Sequence, residues 1–127
     1  MGMMHTRATL AFRQRNLVDT DLQQLTQALR EFASERNWEE FHSPKNLASA
    51  LSVEAAELLE HFQWLTEAQS RNLPPDKRAE IGTEIADVLL YLLQLADKLG
   101  IDVIEAARSK MLVNARKYPA PPIPPPA

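Results

Sequence analysis

Apolar side chains return along this sequence at intervals of three and four, the spacing that places them on one face of a helix. Leu22, Leu25, Leu29 and Phe32 predict a first helix from Asp19 or Thr20 to about Arg36, and Thr20 with Gln23 has capping-box spacing. Leu47, Leu51, Leu58 and Leu65 predict a second from about Pro44 to Leu65, with Ser43 as cap and Pro44 as first helical residue. Ile81, Ile85, Val88, Leu92 and Leu95 predict a third from Asp76 to about Leu99, stopped by Gly100. Asp102 with Glu105 opens a fourth that reaches about Lys117. The residues from Thr66 to Pro75 are polar, end in Pro-Pro and predict a loop. No stretch alternates as a strand does, and no long-period repeat is present.

The fold class that follows is all-α, a four-helix bundle over residues 19–118. Residues 1–18 lack periodicity and are expected to form a flexible arm. Residues 119–127 are a Pro-rich tail; its PxxP spacings match those read by SH3-like partners, but an unstructured tail is the expected state. Gly82 lies inside the third helix, where glycine costs roughly 1 kcal/mol against alanine; a close helix–helix contact is the expected reason. Leu89, Leu90 and Leu93 make this helix apolar on more than one side, so a homo-oligomer is expected to bury the excess.

Acidic residues interrupt two of these apolar seams. Glu54 and Glu57 are spaced i, i+3 within the Leu stripe of the second helix, and Glu84 and Asp87 repeat the arrangement in the third. A carboxylate inside an apolar seam is unfavourable unless something neutralises it. Four carboxylates brought together by adjacent helices need a cation, and hard oxygen ligands suit Mg²⁺, with Mn²⁺ as the alternative. A lone Glu-x-x-Glu is common on solvated helix faces; two such pairs beside apolar seams are a stronger signal.

Composition removes several other classes. The 127 residues make one domain, and a net charge of -3 argues against a general binder of nucleic acid polymers or acidic membranes. The chain has no cysteine, no apolar run near the roughly 20 residues of a membrane span and no secretory pattern, so a cytoplasmic protein is expected. Met1-Gly2 with Thr6 matches a myristoylation signal only formally. With three glycines, none clustered, there is no phosphate-binding loop; neither the Glu-x-x-His pairs of a di-iron bundle nor a His-Glu-x-x-His zinc site occurs. An all-carboxylate metal site remains, and it fits phosphate chemistry.

Glu54-x-x-Glu57 followed by Glu84-x-x-Asp87 resembles the signature of the MazG-like all-α nucleoside triphosphate pyrophosphohydrolases. The likeness extends to Arg36-Asn37-Trp38-Glu39-Glu40-Phe41-His42-Ser43-Pro44-Lys45-Asn46-Leu47, which is similar to the dCTP pyrophosphatase branch. It continues through Glu60-His61-Phe62-Gln63-Trp64, Asp87-Val88-Leu89-Leu90-Tyr91, Ser109-Lys110-Met111, Asn114 and Lys117-Tyr118-Pro119. The resemblance implies a four-helix fold assembled as a dimer or dimer-based tetramer. It also implies Mg²⁺-dependent cleavage of a (d)NTP, dCTP or a modified dNTP foremost, to the monophosphate and pyrophosphate in nucleotide-pool housecleaning.

By the same resemblance Glu54, Glu57, Glu84 and Asp87 hold the metal and Glu57 is the general base. Trp38 and Trp64 wall or stack on the base; core or interface packing is the plainer alternative, and for Trp64 it explains the residue almost as well. Tyr91 lines the sugar, and Asn46 reads base or sugar unless it is only a first-turn polar residue. Lys110, Asn114, Lys117 and Tyr118 meet the phosphates, with favourable charge at a helix C-terminus as the plainer alternative. His42 and His61 receive no role. Where the eukaryotic dCTP branch has a histidine near the base, this sequence has Leu29, which cannot hydrogen-bond to a base edge. Two other readings stay open: a non-enzymatic helical interaction module with a structural cation, and a phosphoribosyl-ATP pyrophosphohydrolase, against which the tryptophans argue.

Overall fold

The computed structural model describes residues 20–123 and Pro126, and the described residues form helices and no strand. The expected N-terminal arm lies outside them. Helix α1 spans Asp21–Glu35, α2 Pro44–Glu60, α3 Glu67–Arg71, α4 Pro75–Lys98 and α5 Val103–Lys117, with a 3₁₀ turn at Glu39–Phe41. Pairing is closest between α2 and α4, and next between α1 and α4, so α4 is the central helix. Leu47 of α2 and Leu93 of α4 are each 1% exposed, with Ala33, Ile81 and Ala96 buried around them.

The helix starts follow from their caps. Thr20 accepts from the Gln23 amide at 3.2 Å while the Gln23 side chain accepts from the Thr20 amide at 2.8 Å, the reciprocal box its spacing predicts. Ser43 Oγ accepts from the Asn46 amide at 3.1 Å, and Pro44 fills the first position of α2. Asp102 accepts from the Glu105 amide at 3.1 Å to start α5.

Both long-helix ends on the path to the site use the same stop. At the end of α1, Asn37 adopts φ 55°, the Trp38 amide donates to Ala33 O at 3.0 Å and the Asn37 amide to Ser34 O at 3.2 Å. At the end of α4, Gly100 adopts φ 65° and the Ile101 amide donates to Ala96 O at 2.9 Å. Each is a left-handed C-terminal motif that satisfies otherwise orphaned carbonyls.

Four expectations need correction. The segment expected to be a loop contains α3, because Thr66 and Gln69 form a second complete capping box; among the described residues there are five α-helices where four were expected. Helix α2 ends at Glu60 instead of Leu65, since backbone bonds tighten there to His61 N–H on Leu58 O and Phe62 N–H on Leu59 O. The buried face of α4 runs through Ile81, Leu93 and Ala96, leaving Ile85 at 54% and Leu92 at 40% exposure. Gly82 makes no close helix contact within the chain: a Cβ there meets nothing within 4 Å.

Helix α5 turns away from the α1–α2–α4 core. Beyond Ile104 all its residues are exposed, Met111 at 71% and Leu112 at 64% among them.

Candidate metal and nucleotide site

Helices α2 and α4 bring their acidic residues together across the seam where they pack. One carboxylate oxygen from each of Glu54, Glu84 and Asp87 lies within 4.8 Å of the other two. All three side chains are half-buried. Oε2 of Glu54 and Oε2 of Glu84 are fully buried and have no hydrogen-bond partner. Orphaned acceptors of this kind are rare in folded proteins and unfavourable by about 1–3 kcal/mol each. Burial, then the neighbouring Glu57, Glu84 and Asp87, push the Glu54 carboxyl from 4.5 up to about 7. No ion pair among the described residues involves these acids. A proton on Glu54 relieves the repulsion; a hard divalent cation would do so more completely, using oxygens already in place. The donor set fits such an ion. Glu57 stands beside Glu54, but outside the triad.

A cavity of about 170 Å³ opens next to this cluster, and Asp87 belongs to both. One wall is α4, with Asp87, Leu90, Tyr91 and Gln94 at i, i+3, i+4 and i+7; the other comes from Leu29, Phe32 and Ala33 of α1 with Trp38 and His42. The α1 stop positions Trp38. Its ring meets Phe32 edge-on at 5.6 Å and lies 6.2 Å from His42, while the Arg36 guanidinium stacks 3.4 Å over Phe32 from outside. The result is a concave, largely apolar and aromatic pocket with few polar groups, one end of which is a candidate metal ligand.

A larger cavity of about 380 Å³ lies elsewhere, between the start of α1, the end of α4 and the start of α5. It touches none of the four acids.

Of the residues singled out in the sequence, Glu54, Glu84 and Asp87 are assembled, and Trp38 and Tyr91 line the adjoining cavity. Asn46 donates from Nδ2 to Phe41 O at 2.9 Å, a bond that ties the turn to α2, and it does not line the cavity. Trp64 stands on the surface at 86% exposure. Lys110, Asn114, Lys117 and Tyr118 are exposed on or just after α5 and line none of the three cavities described. Leu29, the departure noted at the base, does line the pocket. Sequence reasoning passed over Gln94; the available signal was a polar residue seven positions after Asp87, on the same face of a helix otherwise apolar there.

Known proteins resemble this chain in sequence and fold. Over 92 residues the chain is 47% identical to human dCTP pyrophosphatase 1, an alignment covering 71% of this chain and 54% of that protein. A shorter match, 51% identical over 37 residues, covers 29% of the chain and 35% of the dATP/dGTP diphosphohydrolase of Cyanophage S-2L. The chain thus spans about half the length of the mammalian relative. The crystal structure of a pyrophosphatase from Archaeoglobus fulgidus superimposes with a TM-score of 0.75 at 45% identity, covering 80% of this chain and 95% of that one. The model of the MazG-like family matches residues 49–122, which include all four acids and α5. On that match and on the helices that carry it, the chain belongs to the MazG-like family.

Proposed function

We propose that the chain is a divalent-cation-dependent nucleoside triphosphate pyrophosphohydrolase that releases pyrophosphate and a nucleoside monophosphate. The observation that carries this reading is the position of Asp87, which is common to the carboxylate cluster and to the aromatic-walled cavity. A nucleotide has the same division, with charged phosphates at one end and a flat, weakly polar base at the other.

In this reading Glu54, Glu84 and Asp87, with Glu57 beside them, hold Mg²⁺ or Mn²⁺. When bound, such an ion would supply charge neutralisation at the triphosphate and an acidified water. Glu57, adjacent to Glu54 and outside the triad, is the proposed base for that water. Trp38 packs against the face of the base, where stacking contributes roughly 1–3 kcal/mol. Tyr91, one turn beyond Asp87, lies along the sugar and disfavours a 2′-hydroxyl. A deoxynucleoside triphosphate, dCTP or a modified dNTP, is the proposed substrate; the relatives named for dCTP and for dATP/dGTP support this class.

The site is completed in a homo-oligomer. Apolar side chains left exposed by one chain, Leu59 at 63%, Met111 at 71%, Leu112 at 64% and Trp64 at 86%, support burial against a second copy. Such a neighbour would bring Trp64 and the α5 residues Lys110, Asn114 and Lys117, with Tyr118, to a site that one chain leaves open. Nucleotide-pool housecleaning in the cytoplasm is the proposed setting. Among the described residues no helix is long and apolar enough to cross a membrane.

The test is pyrophosphate release from a panel of canonical and modified nucleoside triphosphates, with Mg²⁺, with Mn²⁺ and with EDTA. Metal-dependent release with an equal yield of monophosphate is expected. Glu57→Gln is expected to lose turnover while keeping its fold. If that variant instead unfolds more readily and wild-type protein turns over no triphosphate, the cation site is structural.

A further inference from the structure

Besides the indole N–H of Trp38, which only donates, four groups on the walls of the 170 Å³ cavity carry polar side-chain atoms: Asp87, Tyr91, His42 and Gln94. Three of them are poor readers of a base. Asp87 belongs to the carboxylate cluster. The Tyr91 hydroxyl rotates and serves as donor or acceptor, and a neutral His42 changes tautomer to the same effect. Gln94 differs because its carboxamide is tethered: Nε2 donates to Leu90 O of the preceding turn at 3.2 Å. A carbonyl oxygen accepts only, so the amide nitrogen must face Leu90 and Oε1 is turned away from it. The tether therefore fixes the polarity of the amide.

The position of Gln94 is as specific as its polarity. It lies seven residues beyond Asp87, about 10 Å along a helix, which is the scale of a nucleotide from its 5′ phosphate to the far edge of its base. Beside it lies a recess of about 30 Å³ that shares Gln94, Leu29, Ala33 and His42 with the cavity and is otherwise lined by the polar Thr26, Arg30, Glu39, Asp97 and Lys98. The recess has room for roughly one water. Leu29, on the facing wall, offers no hydrogen bond. Gln94 is thus a part-buried carbonyl acceptor about two helical turns from the carboxylate cluster, on the wall opposite Leu29.

We propose that Gln94 is a specificity-determining residue that selects bases carrying an exocyclic amino group, as cytosine and adenine do, over the oxo bases of the same ring size. This rests on the reading of the cavity as the base pocket of a triphosphate pyrophosphohydrolase. An amino group donates to Oε1. The oxygen of uracil or hypoxanthine at the same ring position sets acceptor against acceptor, and neither partner is satisfied.

The test compares size-matched pairs, dCTP against dUTP and dATP against dITP, by kcat/KM in the presence of Mg²⁺. Wild-type protein is expected to favour the amino member of each pair by roughly 10- to 100-fold. Gln94→Leu is expected to collapse that ratio toward one, and Gln94→Glu, which keeps an acceptor, to restore most of it. Circular dichroism and thermal unfolding establish that both variants fold. A ratio that stays the same in Gln94→Leu, both substrates losing alike, assigns Gln94 to packing and overturns the proposal; so does wild-type protein that shows no preference. Equilibrium binding of dCMP and dUMP, followed by quenching of Trp38 fluorescence in a Trp64→Phe background, reads the same discrimination without turnover. Loss of turnover with retained amino preference in binding rejects the pyrophosphohydrolase reading alone, whereas turnover without that preference rejects the role of Gln94 alone.

Discussion

Asp97 and Asp87 stand on the same helix, both half-buried, in opposite electrostatic surroundings. Asp97 faces Arg30 of α1. Nε of Arg30 donates to one carboxylate oxygen at 2.8 Å and Nη2 to the other, a two-point pair that holds the Asp97 carboxyl below the usual range. Asp87 faces Glu54 and Glu84 instead, and burial, reinforced by the neighbouring Glu57, Glu84 and Asp87, pushes the Glu54 carboxyl up to about 7. The first arrangement is complete within the chain; in the second, no ion pair among the described residues involves the acids. The contrast supplies a criterion for telling a structural acid from a binding one on the same helix: whether a cationic side chain faces it.

The comparison breaks most visibly in turnover. Asp87→Asn is expected to lower kcat/KM by about 10³-fold or more, because it removes one proposed ligand from a metal site that would supply several kcal/mol of charge stabilisation. Asp97→Asn is expected to leave kcat/KM within about threefold, as exposed and half-exposed pairs of this kind act on stability. The measurement is pyrophosphate release by both variants under identical metal concentrations. Equal losses in the two would erase the distinction between the sites.

Metal and pH sharpen the same contrast through stability. The Glu54 carboxyl titrates near 4.5 when unfolded and at about 7 when folded, so the folded state holds the extra proton between these values. Stability of the metal-free protein therefore falls as pH rises through that window, and the loss is complete above about 7. A divalent cation competes with the proton, so its stabilising effect grows over the same range. At pH 8, Mn²⁺ or Mg²⁺ at 100 times its Kd is expected to add about 2.7 kcal/mol, on the order of 10 °C in Tm, and clearly less at pH 5. Differential scanning fluorimetry with and without EDTA reads this, and a metal response independent of pH would count against Glu54 as a ligand.

The Asp97–Arg30 pair has the opposite sign. Its carboxyl is lowered in the folded state, so its contribution is present above the ordinary aspartate range and is lost as pH falls through the lowered value. Arg30 is 56% exposed, which screens the pair. Asp97→Asn is expected to lower stability at neutral pH by about 0.5–1 kcal/mol, with no effect on the metal response. Urea unfolding at pH 7 and at pH 3 checks it: the difference between wild type and variant should shrink at the lower pH.

How much of this was legible in the sequence depended on the range of the interaction. Caps are local, so Thr20 with Gln23, Ser43 with Pro44, Asp102 and Gly100 marked their helix ends correctly. The same signal in Thr66 and Gln69 was passed over, because the polar, Pro-terminated segment reads as a loop. The acidic pairs were legible because i, i+3 spacing on a helix fixes their face. The buried face of α4 was less so: Ile85 and Leu92 fit the helical period as well as Leu93 and Ala96, and only the placement of α1 and α2 decides between them. Gln94 was missed because a single polar residue on an apolar helix has no partner in sequence; its meaning comes from Leu29 and His42 across the cavity. Trp64 and the α5 residues depend on what lies beyond one chain, and no periodicity specifies that.

The smallest expected effect separates the position of the aromatic wall from the charge of the metal cluster. The stops of α1 and α4 have the same backbone form, but α1 uses Asn37 at φ 55° where α4 uses Gly100 at φ 65°. Asparagine tolerates this conformation better than most residues, and alanine pays a steric penalty of about 1 kcal/mol there. Asn37→Gly should therefore change stability by no more than a few tenths of a kcal/mol, whereas Asn37→Ala should lose about 1 kcal/mol. The residue touches none of the acids, so the Mn²⁺-induced shift in Tm should be the same in both variants as in wild type. The Trp38 amide depends on this turn for its bond to Ala33 O, so strain at Asn37 is expected to loosen the ring from the cavity. Nucleotide quenching of Trp38 should then weaken in Asn37→Ala and be kept in Asn37→Gly. A variant that lost the metal response along with the quenching would show that the two halves of the site are not independently built, because the α1 stop would then be acting on the α2–α4 seam and not on Trp38 alone.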